Sequence, residues 1–253
     1  SGSLAVTDST IDINSPGGES TTGIRSFAGT SDALFVDNVV FDGDIDEGVS
    51  GDTSESAGIL YEDGGLGSAN PVPGGPSEST DAYIKNSQFN DLDLGFQAYG
   101  DPIDDGSALD VQDNTFSNIN DEAIVLSTEE ATSDEVDASS VDIRRNVFDG
   151  TGQGIYLYED SSAKDFGTGT VTVEENNFID ASRGTESVSA SNATAIGGAR
   201  DSFDAFSSAA DDDQLSSGSN VPIDADRNYF GSSDGPSVRG ASDSGSGPGT
   251  GVT

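Results

Sequence analysis

The side chains able to do chemistry in this chain are nearly all carboxylates. Asp and Glu number 47 against 9 Lys and Arg, and His and Cys are absent. Without His the usual general base and the commonest transition-metal ligand are missing. Without Cys there is neither a thiol nucleophile nor a disulfide. Two carboxylates at a suitable separation are enough for glycoside hydrolysis. Asp101, Asp104 and Asp105, in a loop after an alternating segment, are weak catalytic candidates of that kind. So acidic a chain offers such pairs by chance, so they carry little weight. Carboxylates at alternating positions can also hold a hard cation. Asp42, Asp44 and Asp46 have that pattern. Calcium is therefore the one cofactor considered, and otherwise none is expected. The loop lacks the Gly and Glu of an EF-hand, and a solvated acidic loop explains the same residues. Asn192-Ala193-Thr194 is the one glycosylation sequon.

These residues must be positioned by a repeat. Its core reads apolar-x-apolar-x-x-Asn-x-Phe. Val141 to Phe148 shows it most clearly, with further copies at Leu109 to Phe116, Val171 to Phe178 and Ile223 to Phe230. Phe35 to Phe41 and Tyr83 to Phe89 carry the Asn one place earlier. Leu4 to Ile11 is a degenerate first copy with Asp8 in the Asn position. The closing residues Ile11, Phe41, Phe89, Phe116, Phe148, Phe178 and Phe230 are spaced by 30, 48, 27, 32, 30 and 52 residues. The two long intervals read as one coil plus an insertion.

A second motif follows each copy: a small residue, an apolar residue, then alternation. It occurs at Gly23-Ile24, Gly58-Ile59, Gly95-Phe96, Ala123-Ile124 and Gly154-Ile155, with Ala195-Ile196 or Val188 filling a sixth place. Period-two alternation in such short segments predicts strands. A strand this short cannot form a core alone, but equivalent strands stacked ~4.8 Å apart bury a continuous apolar column. Gly, Asn and Asp suit corners that need positive φ. Recurrent Asn at 86, 114, 146, 176 and 228 is expected to form a hydrogen-bonded ladder, and the Phe residues to stack as core.

If Ile24, Ile59, Phe96, Ile124 and Ile155 point inward, two rows point outward. They read Arg25, Leu60, Gln97, Val125, Tyr156 and Phe27, Glu62, Tyr99, Ser127, Tyr158. Tyr99, Tyr156, Tyr158, Phe27 and Leu60 form the candidate binding face. Such a strip can stack sugars or fill a protein interface; cover by an insertion is the competing reading.

These units resemble the parallel β-helix repeats of the pectate-lyase-like superfamily, including NosD-type and related surface-protein repeats. Arg227-Asn228-Tyr229-Phe230-Gly231 through Gly235-Pro236 is similar to an element common near the end of such repeats. The resemblance implies an all-β, right-handed single-stranded parallel β-helix (solenoid) of about seven coils with two loop insertions. It leaves function open, because the superfamily is mixed. Hydrolases of the polygalacturonase type and alginate-type epimerases use a His that is missing here. Pectate lyases use an Arg base with bound calcium; Arg144-Arg145 is the one basic cluster and no lyase motif surrounds it.

The expected organisation is a β-helix domain over 1–236, insertions at about 63–80 and 187–220, and a Gly/Ser-rich linker or tail at 237–253. The net charge of −38 opposes compaction in dilute buffer. At molar salt the Debye length falls to roughly 3 Å, which points to a halophile. The acidic balance argues against nucleic-acid binding, and no apolar run reaches the ~20 residues of a membrane span. Disorder fits the composition but not the periodicity. The expected role is a non-catalytic extracellular module at the cell surface, with a glycan or protein partner and possible assembly into a homo-oligomer or filament. A virion spike of a halophilic virus and a secreted polysaccharide-active enzyme are the alternatives.

Overall fold

The computed structural model describes residues 4–14, 20–28, 34–43, 56–63, 82–99, 108–127, 141–158, 171–180, 193–198, 223–224 and 228. All its regular structure is β. The first two coils supply β1 (Leu4–Ile13) and β2 (Thr21–Ala28), then β3 (Leu34–Gly43) and β4 (Ser56–Asp63). Three coils then show all three sides as separate strands. They are β5 (Ala82–Lys85), β6 (Gln88–Leu92) and β7 (Leu94–Tyr99); β8 (Leu109–Gln112), β9 (Thr115–Ile119) and β10 (Glu122–Ser127); β11 (Val141–Arg144), β12 (Val147–Asp149) and β13 (Gln153–Tyr158). β14 (Val171–Glu174), β15 (Asn177–Asp180), β16 (Ala193–Gly198) and β17 (Ile223–Asp224) follow.

Stacking is parallel and in register. The first ladder runs β1-β3-β5-β8-β11-β14-β17. A second side, β6-β9-β12-β15, grows from the far half of β3. The third side is a separate sheet, β2-β4-β7-β10-β13-β16. This is a parallel β-solenoid, as the repeat requires. One strand departs from expectation: Ala195-Ile196 does take the next place on the third side, but β16 runs antiparallel to β13, with Ile155 opposite Ile196. That strand falls within the expected 187–220 insertion. Most of the 63–80 insertion, and residues 237–253, lie outside the described residues.

Alternation explains the strands. Leu34 and Val36, Ala82 and Ile84, Leu109 and Val111, Val141 and Ile143, and Val171 and Val173 are all buried, while the residues between them face out. On the next side Phe41, Phe89, Phe116, Phe148 and Phe178 stack with ring centroids 4.7, 4.7, 5.2 and 4.6 Å apart. Across the interior those rings meet the small residues of the third side. A Cβ on Gly95 would lie 2.4 Å from the Ala123 carbonyl oxygen and 2.8 Å from Phe116. A Cβ on Gly58 would meet Gly95 and Phe89 at 2.7 Å. The small residue of the second motif thus leaves room for the Phe of the first.

The corner between the first two sides holds two adjacent roles. Asp8, Asn38, Asn86, Asp113, Arg145 and Glu175 share one register row, and all have φ between 50 and 58°. The next residue turns inward. There Asn114, Asn146 and Asn176 are buried and form the expected ladder. Asn114 donates from its backbone N–H and Nδ2 to Asn146 Oδ1, at 3.0 and 3.1 Å. Asn146 repeats this onto Asn176 at 2.9 and 3.1 Å, and Asn176 onto Asn228 at 2.9 and 3.1 Å. Each Nδ2 also donates to a buried-strand carbonyl of the preceding coil, such as Asn146 to Val111 at 2.8 Å. Asn86 is a correction to the expected ladder. It is exposed at the positive-φ position and donates to Asp37 Oδ1 at 2.7 Å. Ser87 occupies the inward place instead; it accepts the Val39 N–H at 3.2 Å and takes Asn114 Oδ1 on its own N–H at 2.9 Å.

Candidate binding face

The third side carries the outward strip. Its ladder reproduces both expected rows: Arg25, Leu60, Gln97, Val125 and Tyr156 align, and so do Phe27, Glu62, Tyr99, Ser127 and Tyr158. Phe27, Tyr99 and Tyr158 are placed by backbone register. The inner partners Ile24, Ile59, Phe96, Ile124 and Ile155 are all buried. The strip is more sunken than alternation implies. Arg25 is exposed, Leu60, Gln97 and Tyr156 are half-buried, and Val125 is only 5% exposed. Val125 clusters with Ala57 and Leu94 apart from the main core, and Tyr156 packs against them. β16 bounds the strip beyond Tyr156, pairing it with Ala195.

The other candidates do not join this strip. Asp42 is exposed in β3, paired in register with Asp12 and Asn90, whereas Asp44 and Asp46 lie outside the described residues. Asp101, Asp104, Asp105 and Asn192 also lie outside them. Among the described residues no three acidic side chains converge on a metal-holding group.

A second face emerges on the first side. Of the basic residues described, Lys85, Arg144 and Arg145 all project there, each beside acids of its own or adjacent coils. Lys85 Nζ lies 2.5 Å from Asp110 and 5.5 Å from the centre of the Tyr83 ring. Arg144 Nε lies 2.6 Å from Asp142 and 3.7 Å from Glu174 of the next coil. Arg145 grips Asp113 of the preceding coil with two hydrogen bonds, at 2.8 and 2.9 Å, and donates to Gln112 at 2.6 Å. That fork holds the Asp113 carboxyl below its ordinary range and raises Arg145 above its own. Asp142 moves the other way, because burial raises it and the neighbouring Arg144 only partly offsets that. Arg145 is thus held protonated in an ion pair, which leaves less of the neutral form that a general base needs.

Sequence reasoning missed this lattice because, apart from Arg144 and Asp142, its partners are about one coil apart in the chain. The signal was nonetheless present: stacking the repeats in phase sets Arg145 over Asp113. It also missed Asp93, whose Oδ2 accepts from the Ser56 N–H at 2.8 Å and the Ser56 hydroxyl at 2.9 Å, tying the end of one coil to the next.

Comparisons with protein-family models, curated proteins and solved structures return no match. The class of protein is therefore defined by its own geometry: a parallel β-helix repeat protein.

Proposed function

We propose that this chain is a non-catalytic, extracellular structural or adhesive module of a halophile, within a cell-surface or filament protein of the pectate-lyase-like, NosD-type kind. The observation that carries the reading is the stacking of inward Asn from Asn114 to Asn228, and of buried Phe, from coil to coil. Such ladders couple neighbouring repeats through directed bonds and make a stiff column. The half-buried strip around Leu60, Gln97 and Tyr156 supplies contact area for a glycan or a protein. The charge of −38 suits molar salt, where its repulsion is screened.

Two measurements test this together. Antibody labelling of intact cells, or of particles they release, should place the chain at the outer surface. Incubation with acidic polysaccharides in molar NaCl should release neither reducing ends nor unsaturated products. Depolymerisation that survives purification would replace the proposal with the enzyme reading, and purely intracellular labelling would also overturn it. On a glycan or surface-protein array, Tyr156→Ser should weaken binding while leaving the circular dichroism spectrum unchanged.

A further inference from the structure

We infer that Phe35 and Asp37, on the outer face of the first side, form a receptor for an arginine side chain on a basic segment of a partner protein. The site is separate from the strip on the third side and goes beyond the role proposed above. Three large apolar side chains are exposed among the described residues. Leu4 lies in the first strand, and Ile179 lies where the pairing of β12 with β15 slips. Phe35 differs from both. β3 is paired there in regular register on both edges, with Ala5 on one side and Tyr83 on the other, and the side chain is still 37% exposed.

The next coil supplies the template. Lys85 Nζ lies 5.5 Å from the centre of the Tyr83 ring and 2.5 Å from Asp110. Ring face, cation and carboxylate meet there, and both the ring and the acid stabilise the positive charge. Arg144 and Arg145 each have acids beside them as well. At Phe35 the ring and the carboxylate are present and the cation is missing. Asp37 stands in register with Lys85, two residues along the strand from Phe35 and on the same outward face. Among the described residues no cation lies over Phe35, and the hydrogen bond to Asp37 comes from the neutral Asn86 amide, at 2.7 Å on Oδ1. A cation from outside completes the set.

Arginine fits this pair better than lysine does. Its planar guanidinium stacks on an aromatic face while its edge pairs with a carboxylate, and it is the more weakly hydrated of the two. The charge of −38 attracts a basic segment and repels a second copy of the chain. Size excludes the second copy too. The four-residue strands of the first side are about 13 Å long, and its seven strands span about 29 Å, roughly 400 Å² in all. A stable protein interface needs about 800 Å² per partner, whereas an extended segment fits within the smaller face.

The test uses the full chain, isotope-labelled, in molar NaCl, where a Debye length of roughly 3 Å removes long-range attraction and leaves contacts. The probes are two synthetic peptides of equal length and charge, one of Arg, Gly and Ser and the other of Lys, Gly and Ser. Amide NMR shifts map the binding, and their titration gives the affinity. The arginine peptide should shift amides around Phe35, Asp37 and Tyr83 and bind more tightly than the lysine peptide. Phe35→Leu keeps the position apolar but removes the ring, and should weaken binding about two- to fivefold, the value of an exposed cation–π contact. Asp37→Asn should weaken it too, and serves as the second variant if Phe35→Leu disturbs the strand. Tyr156→Ser should leave it unchanged. Shifts spread evenly over all sides or centred on another one would overturn the inference, as would equal affinity for the two peptides or affinity indifferent to both variants. Sedimentation of the chain alone showing association that Phe35→Leu abolishes would also overturn it, because the occupant would then be a second copy. Surface labelling and the absence of depolymerisation are unaffected by any of these results, so the proposed structural role stands or falls separately.

Discussion

Asn146→Ala is the sharpest test of the buried ladder. Asn146 makes four side-chain hydrogen bonds. Its Oδ1 accepts the Asn114 N–H at 3.0 Å and Asn114 Nδ2 at 3.1 Å. Its Nδ2 donates to the Val111 carbonyl at 2.8 Å and to Asn176 Oδ1 at 3.1 Å. Alanine removes all four in a place with no exposure to water. Asn114 Nδ2 keeps its bond to the Ile84 carbonyl at 2.8 Å, so its loss is partial. The Asn114 N–H and Val111 carbonyl lose a partner from the interior. A buried polar group deprived of its partner costs about 1–3 kcal/mol, so the pair sets an expected loss of roughly 2–6 kcal/mol. Asn86→Gly is the control. Asn86 is exposed with φ 51°, which glycine adopts freely, and its loss is expected to stay below about 0.5 kcal/mol. Urea unfolding followed by far-ultraviolet circular dichroism in molar NaCl gives both values by linear extrapolation. If Asn146→Ala costs under about 1 kcal/mol, or no more than Asn86→Gly, the ladder does not stabilise the column as argued.

Three further outcomes follow from the packing and the charge lattice. Gly95→Ala places a Cβ 2.4 Å from a backbone oxygen that cannot swing away, and should destabilise by about 3 kcal/mol or more in the same unfolding assay. Thr151 aligns with Leu92 and Ile119 but buries a hydroxyl that has no hydrogen-bond partner among the described residues, so Thr151→Val should raise stability by about 1–2 kcal/mol. Asp142 and Asp113 should act oppositely as pH falls. The folded pKa of Asp142 is raised, so its ionised form opposes folding at neutral pH, and that penalty is relieved as pH drops through the folded value. Asp113 is depressed, so its contribution is present above the ordinary carboxylate pKa and is lost below it. As pH falls, carbon-detected NMR titration should find Asp142 protonating before Asp113, with Arg145→Gln returning Asp113 toward its ordinary value.

The solenoid was legible because two signals survive in the sequence: alternation within short strands, and a Phe that returns about every 30 residues wherever no insertion intervenes. The ladder was legible in kind but misphased at one coil, and the spacing to Phe explains why. Asn114, Asn146 and Asn176 lie two residues before their Phe and turn inward, whereas Asn38 and Asn86 lie three before and take the positive-φ corner. Asn serves both places for different reasons, as an amide with donor and acceptor inside and as a side chain tolerant of left-handed backbone outside. Composition alone cannot separate them. Arg145 and Glu175 occupy the same corner against their intrinsic preference, which residue-type reasoning does not foresee. The sinking of Val125 and the reversal of β16 depend on tertiary packing, and no periodicity encodes either.

The polarity of the ladder gives the column a direction. At each corner the inward backbone N–H is answered by a side-chain oxygen of the following coil: Val39 by Ser87, Ser87 by Asn114, Asn114 by Asn146, and onward to Asn228. Val39 has no oxygen to offer, so Ser9 gains no such acceptor from the coil beneath it. The donor-to-acceptor sequence is broken at that one step, while Ser9 still presents an acceptor on its other side. Ser87→Val would lengthen that break by one step and leave the buried Val39 N–H without its side-chain acceptor, so it should cost about 1–3 kcal/mol in the same urea assay, and no loss would show that the chain of acceptors does not stabilise the corner.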